Sequence, residues 1–268
     1  MCLSMSSNLY FMDSAAVIGY GMVGKSTANL FGITKYFSRS NSTATLEEIA
    51  KCRYVFICLP TSVEQDGTYY TKDIEDIIKQ LEGYGGAGIY IMRSTVWPGF
   101  ADHLMDQLDI NRIVSNPEFL TEKTAEKDTK YPPFILLGGR NTAFLDDVKG
   151  LYEGRIKSAP VIVTDNKTAE MAKLAMNAYF ATKVVFANQL FDACQRLGPN
   201  YEKVKEVLES HPFGPKNHFE IFHNGGRGAG GKCLRKDVKA FVHYTDADLV
   251  GYAAAINEHL LSEYPKKV

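Results

Sequence analysis

A chain of 268 residues, 45% hydrophobic and 23% charged, is long enough for one large or two modest domains and needs no staples to hold a core. Thirty basic residues stand against thirty-one acidic ones, which excludes a global field for nucleic acid or an anionic membrane, so any anion site must be local. No apolar run approaches the roughly 18 residues of a spanning helix, and the N-terminus lacks a signal-peptide pattern.

The first twelve residues carry no readable pattern. From Ala15 the text alternates short apolar runs with amphipathic segments. AAVIG is followed by the helix-like GMVGKSTANLF, then TKYF, TLEEIAK and YVFICLP, which read as β-α units. The alternation continues through DIEDIIKQL, GIYIM, FADHLMDQL, RIVS, FILLGG, TAFLDDVKGLY and PVIVT. This predicts an α/β fold with a Rossmann-type doubly wound, mostly parallel sheet over residues 13–164. Strand signals then stop, and AEMAKLAMNAYFATKVVFANQLFDACQRL runs without Gly or Pro until Gly198. One long central helix is expected there, apolar on much of its circumference, as in a core helix or a dimer seam. Further helices at YEKVKEVLES, at KDVKAFVHY and from Asp248 complete a helical domain over 165–268.

Cys2, Cys52, Cys58, Cys194 and Cys233 are odd in number and irregularly spaced, with no C-x-x-C. They suggest neither a zinc site nor a disulfide framework, and a reducing cytoplasm fits them best. No metal is expected. The Asn41-Ser42-Thr43 sequon reads as a chance match in such a chain.

Gly19-x-Gly21-x-x-Gly24 lies directly after a predicted strand and opens a predicted helix, the context of a dinucleotide fingerprint. The first glycine permits the turn, the second lets pyrophosphate approach the backbone, and the third allows close helix–strand packing. The helix N-terminus, with Met22 and Val23, then faces the phosphates. The second strand ends in TKYFSRSN without the acid that usually holds an NAD ribose. Ser38 and Arg39 stand where a 2′-phosphate would sit, so NADP is possible beside NAD. A surface arginine over a loosely held adenosine reads equally well.

GGRGAGGKCLRKD, Gly225–Asp237, resembles a P-loop from Gly226, but Cys233 occupies the place of the metal-binding Ser or Thr, and only 35 residues follow. A glycine arch that presents a thiol explains it better. The same chain contains CLPTSVEQDG, STVWPGF, SNPEFLTEKTA and EMAKLAMN. In order and spacing these five stretches resemble the nucleotide-sugar dehydrogenases of the UDP-glucose/GDP-mannose dehydrogenase family, most closely the members that oxidise UDP-glucose. The likeness covers about Ala15 to Tyr244.

That resemblance implies oxidation of a sugar C6 alcohol to the acid, with UDP-glucose to UDP-glucuronate the nearest case, by two hydride transfers through a cysteine thioester. On this chain Cys233 takes the place of the nucleophile. Its position just before a helix, near Lys232, Arg235 and Lys236, should favour the thiolate. Asp237, four residues on, takes the place of the aspartate that activates water. Lys173 and Asn177, i and i+4 on the long helix, take the places that steady oxyanions and position water. Glu118 and Glu122 match carboxylates with base and water-handling roles. Thr61 and Thr95 match loop residues on the nicotinamide side, while Phe119, Leu120, Gly230 and Gly231 are expected to contact substrate.

Each has a plainer reading. Asp237 could be a solvated helix carboxylate, Lys173 a lysine reaching solvent, Glu118 and Glu122 helix caps, and Thr61 and Thr95 caps of the following segments.

Family members of full length continue into a second α/β domain that clamps the nucleotide, so this chain is expected to lack the C-terminal nucleotide-binding domain. HPFGPKNHFEIFHNGGRG also departs from the family text, and no arginine in it can be assigned to a neighbouring subunit's substrate. A homodimer through the long helix, with no nucleic-acid or membrane partner, is the expected assembly. One alternative is a truncated, catalytically weak dinucleotide-binding protein that pairs with a full-length dehydrogenase. A kinship with the β-hydroxyacid dehydrogenases is another, but Cys233 and Asp237 speak against it.

Overall fold

The computed structural model describes residues 14–121, 123–223 and 225–264. Chain order is β1 (Ala15–Ile18), α1 (Met22–Phe31), β2 (Lys35–Phe37), α2 (Leu46–Ala50), β3 (Tyr54–Ile57), β4 (Ser62–Val63) and β5 (Tyr69–Tyr70). There follow α3 (Lys72–Gly83), β6 (Ile89–Met92), α4 (Phe100–Leu108), β7 (Ile113–Ser115), α5 (Ala125–Lys130), β8 (Ile135–Gly138), α6 (Thr142–Arg155) and β9 (Val161–Thr164). The last four are α7 (Asn166–Leu197), α8 (Tyr201–Ser210), α9 (Lys232–Thr245) and α10 (Asp248–Glu263).

Two compact units form. The first contains the chain up to Ser62 and from Tyr69 to Lys173, and the second takes Val63–Thr68 and the residues from Leu174 onward. The division falls inside α7, so one helix carries Lys173 in the first unit and Asn177 in the second.

The first unit is built on a seven-stranded sheet of order β2-β1-β3-β6-β7-β8-β9. Strands β2 to β7 are parallel, with Val17 opposite both Tyr36 and Phe56. The direction then reverses: β8 meets β7 antiparallel at Ser115 and Gly138, and β9 runs parallel to β8. Alternate strand residues point to opposite faces. Ala16, Ile18, Val55, Ile57, Tyr90 and Met92 pack with α2, α3 and α4, whereas Val17, Phe56, Ile91, Val114 and Leu137 pack with α1 and α6. Because both faces of β1, β3, β6, β7 and β8 are covered, those strands read as continuous apolar runs. Fully burying a side chain such as Phe56 or Ile57 contributes about 1.5–3 kcal/mol.

Local signals set several boundaries. Thr45 and Glu48 form a capping box that starts α2, and Asn141 caps α6. Gly32 ends α1 in the left-handed region at φ 70°. Sheet order changes sides at β1, between β2 and β3, and such a switch point opens a crevice at the carboxyl ends of the strands.

The second unit is helical. Ala187 and Cys194 of α7 pack with Tyr201, Phe219 and Ile221, while Ala181 packs with Ala229, Val238, Val250 and Ala254.

Candidate active site

The glycine fingerprint sits at the switch point. Gly19 has φ 90°, and a Cβ there would lie 2.4 Å from the Cys58 carbonyl oxygen. A Cβ on Gly24 would lie 1.9 Å from the Gly19 carbonyl oxygen, so helix and turn touch backbone to backbone. Gly21 differs: its missing Cβ would meet nothing within 4 Å. That open place, at the N-cap of a helix with no acidic residue in its first turn, fits a pyrophosphate. Met22 and Val23 open the helix, Met22 on the surface and Val23 against the core. The residues therefore fit a dinucleotide.

Sequence reasoning missed Tyr20, which stacks on Tyr36 of β2 with ring centroids 3.6 Å apart, beneath Lys25. Beyond β2, Ser38 Oγ donates to the Asn41 carbonyl at 2.6 Å. Arg39 is exposed and pairs with Asp73 at 2.6 Å. An exposed pair of this kind holds by only about 0–1 kcal/mol, so the arginine is not committed to Asp73.

Thr61 Oγ1 donates to the Thr95 carbonyl at 2.7 Å, joining the loops after β3 and β6. Two loops that the sequence singled out separately are thereby brought together. In the same unit Lys173 is 5% exposed and its Nζ lies 3.1 Å from Glu118 Oε1, with the Phe119 ring 5.3 Å away. Lys173 does not reach solvent. Glu118 does not cap a helix either; its Oε2 accepts from the Leu120 amide at 2.6 Å, and the next helix, α5, begins at Ala125. Phe119 packs on Phe134. Glu122 lies outside the described residues.

One turn before Lys173, Glu170 is a residue the sequence reading passed over. Its buried carboxylate accepts from the Gly99 and Ala101 amides at 2.6 and 3.1 Å and from Ser115 Oγ at 3.0 Å. Burial pushes its carboxyl up to about 7 against the pull of those donors, with Asp102 adding to the rise. A second network fixes the strand-end loops: Arg93 Nη1 donates to Asn116 Oδ1 at 2.6 Å and to the Tyr152 hydroxyl at 3.0 Å. Asn116 Nδ2 donates to the Leu136 carbonyl. Cys58 is buried, and burial pushes its thiol up to about 12, so it is no nucleophile near neutrality.

In the second unit Asn177 Nδ2 donates to Asp237 Oδ2 at 2.6 Å, and Lys236 Nζ lies 2.5 Å from Oδ1. Asp237 is 1% exposed; it is not a solvated carboxylate. Cys233 is exposed in the first turn of α9, one turn before Asp237. Gly231 caps that helix at φ 90°, with nothing near its missing Cβ, and Gly230 precedes it half-buried.

The glycine arch is pinned from within. Asn257 accepts from the Ala229 amide at 2.6 Å and donates back to its carbonyl at 3.0 Å. Arg227, 3% exposed, donates to Asn188 and pairs with Asp192 at 2.8 Å between the rings of Phe191 and Tyr264. It is an internal anchor. The segment before the arch makes one antiparallel bridge, His223 to Gly226, and is no strand of the parallel sheet, so the P-loop reading is excluded.

Among the described residues no cluster of His, Cys, Asp and Glu could hold a metal, and no helix is long and apolar enough to cross a membrane.

Both parts of the chain match known proteins. Residues 33–156 match the NAD binding domain of the UDP-glucose/GDP-mannose dehydrogenase family, and residues 167–259 match its central domain. The chain is 30% identical over 199 residues to the UDP-glucose 6-dehydrogenase of Rickettsia felis, covering 72% of this chain and 44% of that protein. It is 31% identical over 255 residues to that of Rhizobium meliloti, covering 86% and 56%. It spans about half the length of these curated relatives. Its fold superposes on a UDP-glucose dehydrogenase structure from the archaeon Pyrobaculum islandicum with a TM-score of 0.81 at 23% identity, covering 92% of this chain and 68% of that one. With both domain matches lying in order along one chain, and with the five motifs carried on them, this protein belongs to the UDP-glucose/GDP-mannose dehydrogenase family.

Proposed function

We propose that the chain is an NAD-dependent nucleotide-sugar 6-dehydrogenase that converts a sugar C6 alcohol to the acid, with UDP-glucose the substrate to test first. The observation that carries the reading is the Asn177–Asp237 hydrogen bond, one helical turn from Cys233. A buried, oriented carboxylate beside an exposed cysteine at a helix N-terminus is the pair that covalent aldehyde oxidation requires. The cofactor is held on Gly19, Gly21 and Gly24, with Met22, Val23, Ser38 and Arg39 around its phosphates and ribose and Thr61 and Thr95 toward its nicotinamide. Each nicotinamide, when bound, would accept one hydride, so two cofactors are reduced in turn for each sugar oxidised.

The chain's own groups do the rest. Lys173, held by Glu118, offers its ammonium to the oxygen that gains negative charge when the alcohol is deprotonated or the aldehyde is attacked. The Cys233 sulfur bonds to the aldehyde carbon, and the resulting thiohemiacetal becomes a thioester by losing a hydride and a proton. Asp237 and Asn177 orient the water that breaks the carbon–sulfur bond and returns the thiol. Asp237 accepts the water proton. Glu118, with Glu122, serves the first proton transfers, and Phe119, Leu120, Gly230 and Gly231 contact the sugar nucleotide.

We place the protein in the cytoplasm as a homodimer through α7, on which Tyr179 and Phe186 stand more than half exposed, seven residues apart on one face. A Cys233→Ala variant tests the chemistry: acid production should vanish while cofactor binding persists, and undiminished acid production would overturn the thioester route.

A further inference from the structure

The first unit contains a cavity of about 220 Å³ that shares Glu118, Phe119 and Leu120 with the proposed site and extends from them between α1 and the end of α6. Its lining includes Leu30 and Phe31 of α1, Ile156 at the end of α6, Phe119, Pro133 and Arg93. It is smaller than the usual small-molecule pocket of about 300–1,000 Å³, too small for a dinucleotide or a nucleotide sugar. An apolar cavity of about 150 Å³ accepts a benzene ring, so this one has room for a ring and one polar group.

Arg93 is 7% exposed. A buried cation normally faces a carboxylate, because desolvation of an unpaired charge costs several kcal/mol. Among the described residues Arg93 has none within ion-pair distance, and Glu118 acts on it only at longer range. Of its guanidinium nitrogens, Nη1 alone is engaged, by Asn116 and Tyr152. Nε is sealed in without an acceptor, and Nη2 has no acceptor either but is not sealed. The two carboxylates in the wall are occupied, Glu118 by Lys173 and the Leu120 amide, and Asp128 by the Thr121 amide and the Thr124 hydroxyl. The cavity lining therefore combines one cationic donor without an acceptor, Nη2, with apolar side chains such as Leu30, Phe31 and Ile156.

We propose that this cavity binds a small organic monocarboxylate with a ring-sized apolar body, its carboxylate on Arg93 and its body against Leu30, Phe31 and Ile156. Asn116 to Thr121 form one wall of the cavity. The occupant thus touches the segment that carries Glu118, and the site is an effector site for whatever chemistry Glu118 serves.

Fluorine NMR of the full chain with para-fluorobenzoate tests this by binding rather than turnover, so its outcome does not depend on the proposed reaction. Saturable binding is expected, at least about tenfold tighter than for the neutral para-fluorobenzamide, since a charge-assisted hydrogen bond is at stake. Arg93→Gln should lose the same factor. Because that change could unsettle Asn116 and Tyr152, Leu30→Trp, which fills the cavity and leaves Arg93 in place, provides the second arm and should abolish binding. Absence of saturable binding, equal affinity for the amide, or binding unaffected by Leu30→Trp would each overturn the proposal.

Discussion

Asn177 donates its side-chain amide to Asp237 across 2.6 Å, joining α7 to α9 through two buried polar groups. The contact sets the carboxylate against the Asn177 amide and near Lys236, one turn from Cys233. Asp237→Asn keeps the shape and removes the base. Turnover should fall about a hundredfold to ten-thousandfold, and mass spectrometry should show a covalent adduct on Cys233 that persists. A variant that turns over slowly with unmodified Cys233 would place Asp237 before the covalent step.

Lys173 and Glu118 form a largely buried pair, 6% and 13% exposed at the side chain. Removing one partner strands the other, at a cost of about 3–5 kcal/mol. Lys173→Met alone should therefore destabilise strongly, and Lys173→Met with Glu118→Gln should cost clearly less than the two singles added. Additive losses in urea denaturation would mean the pair is not coupled.

The two glycines of the fingerprint should separate folding from binding. A Cβ on Gly24 meets backbone at 1.9 Å, so Gly24→Ala should cost about 1–3 kcal/mol as well as NAD affinity. Gly21→Ala meets nothing and has a φ of −79° that any residue adopts. It should melt within about 0.5 kcal/mol of the parent yet bind NAD at least about tenfold more weakly, because the methyl stands where pyrophosphate approaches. Calorimetric titration of both variants checks this, and unchanged affinity in Gly21→Ala would move the phosphates elsewhere.

Glu170 should give stability a pH dependence of known sign. Its folded value, about 7, lies above the ordinary 4.5, so the native state holds the proton more tightly than the unfolded chain. The resulting stabilisation is complete below about 4.5 and is lost as pH rises through about 7, an effect of about 3 kcal/mol. The Tm advantage of the parent over Glu170→Gln should shrink across that window. The charge of Asp102 acts on the same carboxyl, so an Asp102→Asn control accompanies the comparison. A difference that stays constant with pH would show that Glu170 does not titrate there.

Much of this was legible in the text because it repeats or has a fixed spacing. Buried parallel strands write apolar runs, the helices between them write a 3.6-residue period, and Gly19, Gly21 and Gly24 fall where the turn demands. What escaped has no period. The antiparallel meeting of β7 and β8 rests on one residue pair, Ser115 and Gly138, and the β4–β5 hairpin has strands of two residues each. Glu170, Arg93, Arg227 and Asn257 are single buried polar residues whose partners lie tens of residues away. Only the folded chain reveals that they hold the motif loops in place. Glu118 in NPEFL shows the converse: its sequence context suits a helix start, but the folded chain pairs it with Lys173.

The most direct test counts reduced nicotinamide formed per sugar consumed when the purified protein is given UDP-glucose with NAD, with NADP in parallel to judge Arg39. Two per sugar, with UDP-glucuronate as product and neither formed by Cys233→Ala, is the predicted result. One per sugar with the aldehyde released, or two per sugar from Cys233→Ala, would contradict the account.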